Sequence, residues 1–260
     1  MLASGILYRK PMLLYAAALA MTLAGSPPNA PPPKHGHGSP DGGHHGHHSG
    51  GHKDGGHKHG GHHDRGSHGN PTDIEAYIAK LEGPDRDAHQ KPAEVLKAAG
   101  VSPGQTVCDI GAGPGYFSLR MARAVGEGGT VFAVDVEPKL LAVLRDRIEK
   151  AGVKNVTPVL ALPADPLLPR RLCDLIFVID TYHHFPDGPA YLKRLAQSLK
   201  PGGKLINIDW HPGELPVGPK HDKVAREDFL TQAKGAGLEL KAEHTFLPYQ
   251  YFLVLEPSAK

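Results

Sequence analysis

Between Val107 and Tyr116 the chain reads Val-Cys-Asp-Ile-Gly-Ala-Gly-Pro-Gly-Tyr, a β-branched run that breaks into glycines just where a helical pattern begins. Glycines at a strand-to-helix handover let the backbone approach a ligand closely, and the helix N-terminus that follows offers unpaired N–H groups. A dinucleotide cradle needs Gly-x-Gly-x-x-Gly. Tyr116 stands where its third glycine belongs, and the spacing is instead Gly-x-Gly-x-Gly with Asp109 two residues ahead. A P-loop is excluded as well, because no Gly-Lys-Ser/Thr follows.

Around this turn, short β-branched runs alternate with helical stretches, the signature of a parallel sheet with crossover helices. The pattern predicts strands over Thr106–Ile110, Thr130–Val134, Val156–Leu160, Asp174–Ile179 and Leu205–Asp209. Helices are expected over Tyr116–Val125, Lys139–Ala151 and Ala190–Leu199. Ahead of the first strand, Thr72 and Glu75 have capping-box spacing for a helix to about Leu81, and Pro92–Ala99 reads as a second helix closed by Gly100. After a helix over Asp222–Ala236, Leu238–Thr245 and Gln250–Glu256 are separated by a link too short for a crossover, hence an antiparallel pair.

Two carboxylates fall where strands end beside the glycine turn. Asp135 closes Ala133-Val134-Asp135, at a position able to accept hydrogen bonds from both hydroxyls of a ribose, and Asp165 follows the third strand, where an exocyclic amine such as that of adenine could bond to it. Together with the turn they point to a nucleoside ligand without phosphates.

With these residues in place, the chain from about Asp73 to Glu256 resembles a class I S-adenosylmethionine-dependent methyltransferase of the small-molecule kind, type 11 or 25. The resemblance is carried by Asp109-Ile110-Gly111-Ala112-Gly113-Pro114-Gly115, Val134-Asp135, Ala164-Asp165, Asp174 to Asp180, and Leu199-Lys200-Pro201-Gly202-Gly203-Lys204-Leu205. It implies a Rossmann-like α/β fold: a seven-stranded, mostly parallel sheet with an antiparallel last strand and helices on both faces. It implies S-adenosylmethionine as cofactor, with Asp109, Gly111, Ala112, Gly113 and Gly115 along its methionine part and Asp135 at the ribose. Asp165 is then expected at the adenine, flanked by Val136 and Ala164, with Asp180 completing the cofactor wall. Lys200-Pro201-Gly202-Gly203 is expected to be a structural turn into the fifth strand.

Methyl transfer from a sulfonium is an in-line displacement, so the protein must align an acceptor and remove its proton if it carries one. Acceptor-side residues belong at the carboxyl ends of strands four and five, where Asp180-Thr181-Tyr182-His183-His184-Phe185 and Asp209-Trp210-His211 stand. His183 and His184 are the candidate bases, only one of them able to face the site, with Tyr182 beside them. Trp210, Tyr249 and Tyr251 either wall an acceptor pocket or fill core, and core suits Tyr251 better. The Asn/Asp-Pro-Pro-Tyr/Phe tetrad associated with amino-group methylation of bases or glutamine is missing. A second reading has Asp180 and Asp209, with His184 or His211, hold a divalent ion that assists O-methylation.

From Asp73 onward there are 23 basic and 24 acidic residues, so the globular part is near neutral and carries no basic stripe for nucleic acid; a small-molecule acceptor is expected. Two cysteines, Cys108 and Cys173, allow neither a disulfide framework nor a thiolate zinc site.

Residues 71–260 form the expected catalytic domain, and the remainder reads differently. In 1–26, Arg9 and Lys10 precede a 13-residue apolar run, Met12–Ala24, that ends in Ala24-Gly25-Ser26. This layout is that of a signal peptide and is too short for a stable membrane span; a true start at Met12 or Met21 is the alternative. Export or membrane association follows from the first reading, a cytoplasmic place from the second. Residues 27–70 are Pro-rich and then His/Gly-rich, with 12 of the chain's 18 His, and cannot bury enough apolar surface to fold. His44, His45, His47, His48, His57, His59, His62 and His63 suit Zn, Ni or Cu, or the tract is a soluble spacer. A non-catalytic exported metal binder on the same fold is the remaining alternative. No pattern specifies an oligomeric state.

Overall fold

The structure, a computed structural model, describes residues 73–259. The leader-like segment and the His-rich tract, with their proposed metal ligands, lie outside the described residues.

Seven strands form one sheet in the order β3-β2-β1-β4-β5-β7-β6. They are β1 Thr106–Ile110, β2 Thr130–Asp135, β3 Val156–Leu160, β4 Cys173–Ile179, β5 Leu199–Trp210, β6 Leu238–His244 and β7 Gln250–Pro257. The pairs from β3 through β5 are parallel, whereas β7 runs antiparallel to both β5 and β6. The chain reverses its winding between β1 and β4, so a crevice opens at their carboxyl ends. That crevice positions the site.

Helices cover both faces, as expected for a sheet whose central strands are apolar throughout. They are α1 Ile74–Leu81, α2 Arg86–Gln90, α3 Pro92–Ala99, α4 Ser118–Val125, α5 Pro138–Lys150, α6 Gly188–Ser198 and α7 Arg226–Gly235. In α4, Ser118, Met121, Ala122 and Val125 recur at helical spacing and are buried. Burying a side chain the size of Met121 or Val125 stabilises the fold by about 1.5–3 kcal/mol. The longest helix, α5, begins with Pro138 and ends with Arg147 and Lys150, matching its dipole, while the Glu137 side chain accepts from Lys139 N at 2.9 Å. No described helix is long and apolar enough to cross a membrane.

Several expectations need correction. Asp73, not Thr72, caps α1, accepting from Ala76 N at 2.9 Å; Thr72 lies outside the described residues. The strand β5 begins at Leu199 rather than Leu205, and Lys200-Pro201-Gly202-Gly203 is a bulge within it: Cys173 pairs with Leu199, but Leu175 already pairs with Lys204. The helix α4 starts at Ser118, because Gly115 has φ +92° and the chain closes turns there before coiling. The helix α7 starts at Arg226, four residues later than expected. The five-residue α2 was not anticipated, being too short to show a period.

The two cysteines, too few for a framework, pair with each other. A disulfide joins Cys108 on β1 to Cys173 on β4, with Cα atoms 6.0 Å apart and both residues fully buried. Their 65-residue separation hides the pairing from the sequence.

Candidate cofactor and acceptor site

The glycine turn is built as its sequence requires. Gly111, Gly113 and Gly115 have φ of +73°, +54° and +92°, values that side chains disfavour. A Cβ on Gly111 would collide with the Thr181 side chain, and one on Gly115 with Leu144. The turn is fastened to β2: Gly111 N and Ala112 N donate to Val134 O at 2.8 and 3.0 Å, and Gly113 N donates to Asp135 Oδ2 at 2.7 Å. Glu137 N bonds the other Asp135 oxygen at 2.9 Å. Burial nonetheless raises the Asp135 pKa.

Asp109 lies beneath the turn rather than on its surface. It accepts from Ser118 Oγ at 2.5 Å, fixing the first turn of α4, and burial pushes it up to about 6. Val136, Leu160 and Leu162 are exposed apolar side chains near Asp135, whose carbonyl accepts from Ala161 N. Asp165 already has two partners: Leu167 N at 2.9 Å on one oxygen and Arg194 at 2.9 Å on the other. The turn that contains Ala164 is closed by backbone bonds between Leu162 and Asp165, at 3.0 and 3.1 Å.

Above the glycines, α1 and α2 make a roof that sequence reasoning did not foresee. Leu81 lies over Gly113. Glu82 pairs with Arg147 at 2.5 and 2.8 Å, and Arg147 also donates to Pro114 O at 3.2 Å. The guanidinium carbons of Arg86 and Arg120 lie 3.8 and 4.1 Å from the Tyr116 ring centroid, and the Tyr116 hydroxyl donates to Asp87. Gln90 reaches down from α2 to donate to Asp180.

Asp180 directly follows β4 with φ +53°, an unusual conformation for a residue with a side chain. Gln90 and Gln250 donate to its two oxygens. Burial, reinforced by the charge of Asp209 and opposed by Arg86, pushes it up to about 7.

On the acceptor side, His183 and Asp209 are joined. Nδ1 of His183 lies 2.8 Å from Asp209 Oδ1, and the two side chains are 3% and 0% exposed. Burial lowers the His183 pKa, but the bonded and charged Asp209, with Asp180 and Asp222 behind it, more than offsets this and the net shift is upward. Asp209 Oδ2 has no hydrogen-bond partner. His184 is exposed, its ring centroid 4.1 Å from that of His183. Tyr182 lies in the core: it is 2% exposed, packs edge-on against Phe229 and donates to Gln232 Oε1 at 2.5 Å. Tyr251 is core too, as its apolar strand suggested. Trp210 and Tyr249 instead meet His89 of α2, with centroids 6.1 and 6.2 Å away.

The metal-assisted alternative finds no donor set. Among the described residues no three His, Cys, Asp or Glu side chains gather to hold an ion. Both oxygens of Asp180 face amide donors, and Asp209 Oδ1 meets His183 and accepts from Trp210 N at 2.9 Å.

A family profile described as a methyltransferase domain matches residues 107–203, from the glycine strand to the β5 bulge. The ubiquinone/menaquinone biosynthesis C-methyltransferase UbiE of Laribacter hongkongensis is 33% identical over 128 residues, covering 49% of this chain and 52% of that protein. A protein-L-isoaspartate O-methyltransferase of Pyrococcus horikoshii is 31% identical over 151 residues, covering 56% and 61%. The chain thus spans about half the length of the first curated relatives it matches. Among solved structures, a SAM dependent methyltransferase from Aquifex aeolicus superposes with a TM-score of 0.67 at 28% identity, covering 71% of this chain and 98% of that one.

Proposed function

We propose that this chain, which belongs to the class I S-adenosylmethionine-dependent methyltransferases, moves a methyl group from S-adenosylmethionine to a small-molecule acceptor. The observation that carries the reading is the bond from Gly113 N to the Asp135 carboxylate. It draws the positive-φ glycine turn against the acidic end of β2 at the edge of the crevice. The residues fit the cofactor: the positive-φ glycine turn lets a ligand approach its backbone, and Asp135 keeps lone pairs for two ribose hydroxyls. Val136 and Leu162 supply apolar surface for the adenine. For Asp165, Arg194 and Leu167 N limit its reach toward the adenine amine.

When bound, S-adenosylmethionine supplies a methyl group on a sulfonium that is displaced in line. The chain supplies position and proton handling. His183, its Nδ1 hydrogen held by Asp209, leaves Nε2 as the acceptor for a proton from the substrate. His89, Trp210 and Tyr249 form an aromatic wall on the same side. The recurrence of quinone-synthesis C-methyltransferases among the relatives favours a small, ring-bearing acceptor. The His-rich tract is a collector of Zn, Ni or Cu ions, and its role is separate from transfer.

Isothermal titration of the full chain with S-adenosylmethionine tests the reading. Saturable binding below millimolar concentration is expected; absence of heat up to that concentration would overturn it.

A further inference from the structure

Asn207 is fully buried in β5, and neither end of its amide has a hydrogen-bond partner among the described residues. Its lateral neighbours offer none: Val178 of β4 and Leu253 of β7 stand opposite it, both apolar and buried. An amide buried and unbonded at both ends is costly, so such groups ordinarily meet a protein partner or an enclosed water.

Polar groups do lie beside it on the same face of the sheet. Side chains two residues apart on a strand share a face, which sets Asn207 next to Asp209, and Tyr251 of β7 is the direct cross-strand partner of Asp209. Asp209 is engaged through one oxygen. Its Oδ1 meets His183 Nδ1 at 2.8 Å and accepts from Trp210 N at 2.9 Å, while Oδ2 is buried without a donor among the described residues. The Tyr251 hydroxyl makes one long bond, to Val224 O at 3.3 Å. Burial pushes its pKa up, and the neighbouring Asn207 amide works against that.

The needs of these atoms are complementary. Asp209 Oδ2 and Asn207 Oδ1 each take a donor, whereas the Nδ2 group of Asn207 must give to an acceptor. A metal cation cannot accept from the amide, and an anion cannot donate to the carboxylate. Water does both, and fits where two to four polar partners converge.

We propose that Asn207, Asp209 and Tyr251 enclose a water molecule behind the His183–Asp209 pair, and that Asn207 is a positioning residue acting through this water on Asp209 Oδ2. The water holds the carboxylate so that Oδ1 stays on His183, and by donating to Oδ2 it draws part of the negative charge away from the imidazole. The role rests on the function given to His183 above.

The test is an NMR titration of His183 in the full chain without cofactor, its signals assigned by their loss in His183→Gln. Asn207→Leu keeps the size of the side chain and removes both amide groups, so the whole carboxylate charge bears on the imidazole. The His183 pKa is expected to rise by about 0.5–1 pH unit. Asn207→Ser, which restores a hydroxyl, is expected to bring most of that rise back. In the native chain the Asn207 amide protons are expected to show an NOE to a long-lived water. Asp180, Asp222 and His184, the other charged or titratable groups around His183, are the same in every variant. An unchanged His183 pKa in a folded Asn207→Leu, or no water signal at the native Asn207 amide, overturns the proposal. If melting curves show that Asn207→Leu does not fold, Tyr251→Phe carries the same readout: a rise is expected, and an unchanged pKa overturns the proposal. Titration with S-adenosylmethionine reads the functional proposal separately, so either can fail alone.

Discussion

Nδ1 of His183 lies 2.8 Å from Oδ1 of Asp209, an imidazole and a carboxylate brought together from the ends of β4 and β5 and sealed from solvent. With an Nδ1 proton directed at the carboxylate, Nε2 is the nitrogen left for the base role proposed for His183.

Asp209→Asn is expected to lower turnover by about a hundredfold, within the range of general-base contributions. In the native chain His183 titrates above its ordinary 6.5, so the neutral base accumulates and the rate climbs as pH passes that raised value. Removing the Asp209 charge moves the inflection downward; Asp180, Asp222 and the neighbouring His184 remain. Stability has the opposite sign. The folded state holds the His183 proton more tightly than the unfolded chain, so the pair stabilises at low pH and the contribution fades as pH rises through the folded pKa. Asp209→Asn should therefore depress the melting temperature more at about pH 5.5 than at about pH 8.5.

Asp180, pushed up to about 7, gains its negative charge across the neutral range, and an anion beside the site favours a ligand that carries a sulfonium cation. Affinity for S-adenosylmethionine should accordingly tighten as pH rises from about 6 to about 8, by up to roughly tenfold. Titration calorimetry across that interval checks the slope, and Asp180→Asn should flatten it.

Gly111→Ala places a Cβ at φ +73° and against the Thr181 side chain. A loss of about 1–3 kcal/mol in stability is expected, with cofactor binding lost. Thr181→Gly in the same chain should recover part of the stability, a coupling measurable by a double-mutant cycle in urea.

The buried Cys108–Cys173 disulfide closes 65 residues of chain. On the loop-entropy account, Cys108→Ala with Cys173→Ala should cost about 4 kcal/mol in chemical denaturation. Alkylation of the unfolded, unreduced chain should label no thiol; two labelled cysteines would contradict the pairing.

Deleting residues 35–68 is expected to abolish Zn, Ni and Cu binding in equilibrium dialysis while leaving S-adenosylmethionine affinity unchanged. Metal retention by the shortened chain would place the ions elsewhere.

Much of this protein was readable along the chain. Strand and helix order followed from periodicity, and Pro92–Ala99 and Thr106–Ile110 fall where their patterns put them, because burial on one face imprints a local spacing. The Gly111–Gly115 turn and Asp135 were readable for a similar reason: each is set by its neighbours in sequence. What lay beyond reach was every relationship across the sheet. His183 was visible, but its partner Asp209 stood 26 residues away; Gln90 and Asp180 are 90 apart, and Cys108 and Cys173 are 65 apart. Tyr182 stands beside the candidate bases in sequence, yet the packing of α7 holds its ring in the core. Local sequence specifies which residues point the same way along one element. Which elements lie side by side is decided by the order β3-β2-β1-β4-β5-β7-β6, and the adjacency of β4 and β5 in that order is what sets the His183 imidazole on the Asp209 carboxylate.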